Sequence, residues 1–362
     1  MSASRTTEHV MKMRTYFVAF VAALVLVPLA ATAQDAVDPD YIPTESTEVE
    51  VLDTGWYGQL DLSSSVNAAS NRDVIGQSNG QSWTIGFAFD GRADYLRGQH
   101  EWRNSLYLAE TFTRTPAIDE FIKTADELSL ESLYYYHLPG ADWFGPFARF
   151  AMNTALFKGF DVRASDVSYV LTRVDGSQEV SVRDRILLTG AFAPLTLRES
   201  VGVFARPINE EAIDIDIRTG FGARETFADG ELRVDEVTEL DDGTTQVDLV
   251  ELQSFTQAGS ETALVISGSF EDGRVNYEST LDVLVPFINT LEDDNRSAGE
   301  LTNIEYVFNL GFGLVDWASV DYQFKAVRVP ALLDDWQRSH NLLLTFRATL
   351  VRRGQDPDEA AE

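Results

Sequence analysis

Residues 82–95 read SWTIGFAFDGRADY, and their chemistry alternates without a break. Trp83, Ile85, Phe87, Phe89, Gly91, Ala93 and Tyr95 share one face of an extended chain. Ser82, Thr84, Gly86, Ala88, Asp90, Arg92 and Asp94 share the other. Successive side chains of a strand point to opposite faces, so this is a strand with one apolar and one polar side. Ordinary strands run about five or six residues, whereas crossing a bilayer takes about 9–11. A strand of this length and pattern suits a membrane barrel, apolar outside and polar within.

The pattern recurs on both sides of this stretch. Trp56, Gly58, Leu60, Leu62 and Val66 oppose Tyr57, Gln59, Asp61, Ser63 and Asn67. Ile213, Ile215, Ile217, Phe221 and Ala223 oppose Asp214, Asp216, Arg218 and Arg224. Similar runs occupy 275–287, 304–314 and 342–350. Twelve strands are expected, at about 56–67, 82–96, 99–113, 125–138, 143–158, 192–206, 213–227, 250–271, 274–287, 301–315, 317–329 and 338–352. The alternation of the eighth breaks over 253–259, which predicts a bulge or a split.

The connections fall into two alternating classes. Short ones lie at 97–98, 139–142, 207–212, 272–273 and 316; long ones at 68–81, 114–124, 159–191, 228–249, 288–300 and 330–337. Transmembrane barrels have tight periplasmic turns and longer external loops, which puts both termini in the periplasm. Within 159–191, Asp175-Gly176 sits between 167–174 and 179–183, the signal for a hairpin standing above the barrel.

Aromatic residues collect near strand ends, as membrane interfaces favour. Trp56, Tyr95, Trp102, Tyr134, Tyr136, Trp143, Phe204 and Trp317 fall on the short-turn side. Trp83, Phe112, Phe157, Phe287, Tyr306 and Trp336 fall on the long-loop side.

The chain start supports export. Lys12 and Arg14 precede an apolar run at 16–29, and Ala31-Thr32-Ala33 follows as a small-x-small cleavage signal. The apolar run is too short for a spanning helix of about 20 residues. The expected organisation is a signal peptide (1–33), an acidic periplasmic linker (34–54), an outer-membrane barrel (55–352) and an acidic tail (353–362). The chain has no cysteine, so it does not rely on disulfides.

The net charge is −30, and loss of the signal segment's net +2 takes it to −32. This argues against a nucleic-acid partner, which needs a basic footprint. Outer-membrane lipid is the expected partner. Residues 228–251 hold nine acidic residues against Arg233 alone. Such runs are usually solvated loops, and they are candidate sites for divalent cations.

TGWYGQLDLSSSVNAAS, SWTIGFAFDGRADYLRGQHEWRNSLYLAE, ADELSLESLYYYHL and WFGPFARFAMNTALFKG, with STLDVLVPF and NIEYVFNLGFGLVDWASVDYQFK, carry a resemblance. The chain resembles domain-of-unknown-function families of Gram-negative outer-membrane barrels, including those labelled salt-induced outer-membrane proteins. The resemblance implies a location and a shape, without an agreed activity. It departs at the C-terminus, where many such barrels end on an aromatic residue and this chain ends on an acidic tail.

No catalytic set is legible. The four histidines are His9 in the signal region, His100 and His137 near short turns, and His340 near the last strand. His340 follows Ser339, but adjacent strand residues point apart. There is no phosphate loop, nucleotide fingerprint or metal-spaced cluster, so neither enzyme activity nor a cofactor is expected.

The polar faces carry the functional candidates. Asp90, Arg92, Asp94, Glu278, Asp282, Glu305, Asp321, Lys325 and Arg347, with Arg149 and Arg218, are expected in the lumen. Two readings follow. One is a narrow polar pore for small solutes or ions, its charges setting selectivity. The other is a structural or surface-interaction barrel, its lumen salt-bridged and its acidic loops meeting cations or partners. Charges of both signs on neighbouring strands are expected to pair.

Overall fold

A computed structural model describes residues 55–71, 80–240, 243–271, 273–291, 296–315 and 317–355. The expected signal peptide and linker, and positions 356–362 of the expected tail, lie outside the described residues.

The strands are β1 (Gly55–Asn71), β2 (Gly80–Arg97), β3 (His100–Thr115), β4 (Ile118–Tyr136), β5 (Phe144–Thr154), β6 (Gly159–Thr172), β7 (Gln178–Thr189), β8 (Leu195–Glu210), β9 (Ile213–Phe227), β10 (Leu232–Glu239), β11 (Thr245–Glu251), β12 (Phe255–Phe270), β13 (Val275–Asn289), β14 (Asn303–Val315), β15 (Ala318–Val329) and β16 (Leu333–Gln355). Twelve of them close a barrel in the order β1-β2-β3-β4-β5-β8-β9-β12-β13-β14-β15-β16. Every neighbouring pair in the wall is antiparallel, including the closing pair, in which Leu62 lies opposite Ala348 and Ser65 opposite Thr345. The expected transmembrane barrel of twelve strands is thus the observed fold.

Alternation sorts the wall into two faces. Phe221, Phe287 and Leu342 stand outward, the first two 71% and 68% exposed. Asp216, Arg218, Glu261 and Asp321 stand inward and are buried. An apolar exterior around a charged interior inverts a water-soluble domain and suits lipid as the outer solvent. Outward aromatics form the lower band: Trp56 packs on Tyr95 and Trp102 at centroid distances of 5.0 and 6.0 Å, and Trp317 stacks on Phe346. Trp143, Trp83 and Trp336 are also exposed at strand ends. Tyr136 packs on His100, and Tyr306 on Phe324.

The loop end differs from expectation in three places. The loop expected at 114–124 is a tight turn at 116–117, because β3 and β4 continue past the membrane. The loop expected at 330–337 is likewise a turn at 330–332. Above the bilayer no lipid opposes one face, so the chain keeps its hydrogen-bonded ladder while losing the period-2 signal. The third difference is larger. The expected eighth strand splits at 252–254: β11 leaves the wall, and β12 alone crosses.

β11 joins a second sheet, ordered β10-β11-β6-β7. The expected hairpin at Asp175-Gly176 is present, with Gly176 at φ 80°, but it is longer than predicted and pairs with the acidic segment. β11 runs parallel to β6, with Val247 opposite Tyr169. Val167, Tyr169, Leu171, Val247 and Leu249 form its buried core, and the edge strands β10 and β7 approach each other. Residues 232–239 and 245–251 are therefore strands, not a solvated loop. Their apolar positions, Val234, Val247 and Leu249, were masked in sequence by the surrounding carboxylates. The sheet leans on the barrel where Arg185 meets Glu120 at 3.7 Å.

Candidate functional site

The lumen is crossed by charged side chains in tiers. The tier nearest the short turns is built around Glu101 of β3 and Asp216 of β9. Arg206 of β8 reaches both, at 3.2 Å each. Arg103 pairs with Glu101, and Arg218 with Asp216 at 3.2 Å. His137, in the β4–β5 turn, bonds Glu101 through Nε2 at 2.7 Å. The Tyr135 hydroxyl donates to Asp216 at 2.9 Å. Leu133, Tyr135, Phe147 and Phe204 fill the space between as one apolar cluster. Tyr135 is 1% exposed and Phe204 0%, with ring centroids 4.6 Å apart. Phe204, expected in the aromatic girdle, therefore faces inward. Val201 and Val203 take the outward positions of β8, so parity alone places Phe204 in the lumen.

The next tier centres on Arg149 of β5. Its Nε and Nη2 hold Glu131 of β4 at 2.8 and 2.7 Å. Its Nη1 lies 3.5 Å from Glu261 of β12 and 3.6 Å from Asp282 of β13. Above it, Arg198 of β8 binds Glu305 of β14 at 2.7 Å. Strands β9, β12 and β13 stand between β8 and β14 in the wall, so this pair bridges the lumen. On the remaining wall, Arg92 of β2 feels the charge of Glu278 of β13 as well as that of its neighbour Asp94.

The pairing of opposite charges on neighbouring strands expected from the sequence is present, Arg149 with Glu131 and Arg206 with Asp216, but several directly opposed positions carry like charges. Arg198 lies directly opposite Arg224 on β9. Asp282 lies opposite Glu305 on β14, and Asp61 opposite Asp90 on β2. The β8–β9 wall is basic where the β12–β14 wall is acidic, so opposite charges meet across the bore. Like charges directly opposed on a sheet destabilise it, and the cross-lumen partners offset this.

The sequence candidates thus separate. Asp282 and Glu305 belong to the bridges, with Arg149. Arg218 belongs to the lower tier. Asp90 lies within charge range of Asp61 and Arg347, and Lys325 within that of Glu305. Asp321 is held locally by the Ser319 hydroxyl at 2.7 Å. Glu101, Arg103, Glu131, Arg198, Arg206 and Glu261 were not singled out in sequence. Each lies on the inward parity of a strand already assigned, which was the signal available.

The acidic carboxylates of the external sheet serve its loops. Glu231 accepts from Gly190 N at 2.7 Å, Asp229 from Ser254 N at 2.7 Å, and Glu251 from Val174 N at 3.2 Å. Among the described residues no group of three or more His, Cys, Asp or Glu side chains comes together as metal ligands do. His340 faces outward and shares a hydrogen bond with the Tyr322 hydroxyl at 2.9 Å.

Comparison with known proteins gives one partial family match and distant structural likenesses. The family described as "Protein of unknown function (DUF3078)" matches residues 67–160, about a quarter of the chain. No curated protein matches. Among solved structures, the chain is similar to an outer membrane channel from Pseudomonas putida at 10% identity and a TM-score of 0.37, covering 84% of this chain and 97% of that one. It is also similar to the translocator domain of the autotransporter NalP from Neisseria meningitidis, at 9% identity and a TM-score of 0.33, covering 82% and 89%. Likenesses this distant say nothing of activity; the barrel rests on its own strand pairing.

Proposed function

We propose that this protein is a bacterial outer-membrane barrel, exported by a cleaved signal peptide, whose lumen is bridged shut at rest and whose loop end presents a β-sheet domain to the cell exterior. The observation that carries this reading is the cross-lumen set of Arg149 with Glu261 and Asp282 and of Arg198 with Glu305, with Glu131 on the neighbouring β4 steadying Arg149. A barrel of twelve strands is wider than the packed eight-strand type, so side chains must reach far to close it. Long arginines and carboxylates do so here. The external sheet, with its acidic β10 and β11, is where a partner or divalent cations would be met. No catalytic role is part of this reading.

A narrow polar pore is the second reading. It is favoured by the long contacts of Arg149 to Glu261 and Asp282, at 3.5 and 3.6 Å, which small movements would exchange. Planar-bilayer recording separates the two. The bridged barrel shows no stable conductance steps at moderate voltage. Regular steps from the unmodified protein would overturn it in favour of the pore.

A further inference from the structure

Two carboxylates stand together on the outer face of the wall, toward its loop end. Glu110 of β3 and Asp126 of β4 are directly opposite each other in the ladder. Their neighbours Ala109, Ala125 and Glu127 are buried and face the lumen, so parity turns Glu110 and Asp126 outward. Asp126 is well supplied with donors. Its Oδ1 accepts from Leu156 N at 2.7 Å and its Oδ2 from Phe157 N at 2.6 Å. Lys123 Nζ donates to Asp126 Oδ2 at 2.5 Å and to Phe157 O at 2.7 Å. These bonds fasten the β5–β6 connection, the root of the external sheet, to the wall.

Glu110 has no such donors. Both of its carboxylate oxygens are covered, and neither meets a donor. They lie within hydrogen-bonding reach of the Asp126 carboxylate, which is also an acceptor. Two ionised carboxylates sharing a site repel, and one of them holds a proton more tightly for it. The charge balance agrees. Lys123 offsets one of the two negative charges, and a single proton on Glu110 brings the group to zero. On a face turned to lipid a residual charge is costly. Phe87, opposite Glu110 on β2, supplies no charge. Lys158, the one other charged residue of the β5–β6 connection, is exposed.

We propose that Glu110 and Asp126 share one proton and act as a latch on the external sheet. With the proton in place, Glu110 donates to Asp126, and Asp126 keeps its hold on Leu156 and Phe157. Without it, the two carboxylates repel, Asp126 releases both backbone N–H groups, and the root of the sheet loosens. The latch is therefore closed at acidic pH and opens as pH rises. It lies on the outer face of the wall, so it stands whether or not the bore conducts.

The test uses the full mature chain in lipid vesicles. The chain has no cysteine, so Lys158→Cys gives a unique site for a nitroxide label on the connection, at a residue that makes none of the latch bonds. As pH rises from about 5 to about 9, the mobile fraction of the label should grow by about threefold or more. Glu110→Gln keeps a donor to Asp126 but cannot ionise, and should hold the label immobile throughout. Asp126→Ala should leave it mobile throughout. His137→Gln, at the opposite end of the barrel, should not alter the response. A label mobility that ignores pH, or a pH response that survives Glu110→Gln, overturns the proposal. If Glu110→Gln fails to fold, the infrared carbonyl stretch of a protonated carboxylic acid in the labelled protein decides. It should fade in step with release of the label, and a band that does not track the label overturns the latch.

Discussion

Arg198 and Glu305 meet at 2.7 Å across the barrel, although three strands separate them around the wall. Each has a like charge directly opposite it on an adjacent strand: Arg224 for Arg198, Asp282 for Glu305. Neither charge can be satisfied by sliding along the sheet, so the pair fastens two walls together. Both side chains are about a quarter exposed, and water in the lumen weakens their attraction. A double-mutant cycle of Arg198→Ala and Glu305→Ala, read by urea unfolding from lipid vesicles, should give a coupling of about 1–2 kcal/mol. Additive effects would mean that the two residues do not act together.

Arg149 holds three carboxylates from three strands. Arg149→Ala should free Glu131, Glu261 and Asp282 to repel one another and open the bore. Single-channel recording should then show cation-selective steps that the unmodified protein lacks. Arg173→Ala, on the external hairpin, should leave the current unchanged.

The wall was legible because lipid and lumen impose opposite chemistry on alternate residues, as at Phe87 and Asp90. The lower plug was half legible. Tyr134, Tyr135 and Tyr136 look alike in sequence, yet the middle one turns inward and binds Asp216. The external sheet was least legible. β11 pairs with β6, about eighty residues earlier in the chain, and no local pattern encodes a pairing of that range. The charge bridges were hidden for a related reason: parity tells which way Arg198 points, but not that Glu305 waits on the far wall.

His137 gives the lower tier a pH dependence. It lies in the β4–β5 turn, and its hydrogen bond to the Glu101 carboxylate raises its pKa from the usual 6.5. A group whose folded pKa is raised contributes stability fully below its unfolded value and loses it as pH climbs through the folded value. The resistance of the barrel to urea should therefore decline as pH rises above about 6.5. His137→Gln should flatten that slope while lowering stability at acidic pH. Glu101 keeps Arg103 and Arg206, so the variant should still fold. An unchanged slope would assign the pH dependence to another group.

Gly202 of β8 and Gly220 of β9 lie opposite each other and let their backbones approach closely. A Cβ on Gly202 would stand 2.7 Å from Gly220 Cα, and one on Gly220 would stand 2.6 Å from Gly202 Cα. Either alanine must push the strands apart between the Phe204 plug and the Arg198 bridge. Gly220→Ala should cost about 1–3 kcal/mol in vesicle unfolding. Gly58→Ala, whose nearest added contact is at 3.9 Å, should cost far less. Equal losses would show that the close approach has no energetic weight.

Two exposed apolar residues report on different solvents. Phe221 stands outward at mid-height of β9 and is 71% exposed; Val182 stands on the external sheet and is 68% exposed. Geometry alone makes them equivalent, and only the surrounding medium separates them. If lipid surrounds β9, Phe221→Arg must place a charge in hydrocarbon, at about 2–4 kcal/mol near the bilayer midplane. Val182→Arg puts its charge into water and should change stability by no more than about 0.5 kcal/mol. Urea unfolding from vesicles measures both. In a detergent-free aqueous state the two variants would behave alike, so a matching pair of small effects in vesicles would remove the membrane from the description of the barrel.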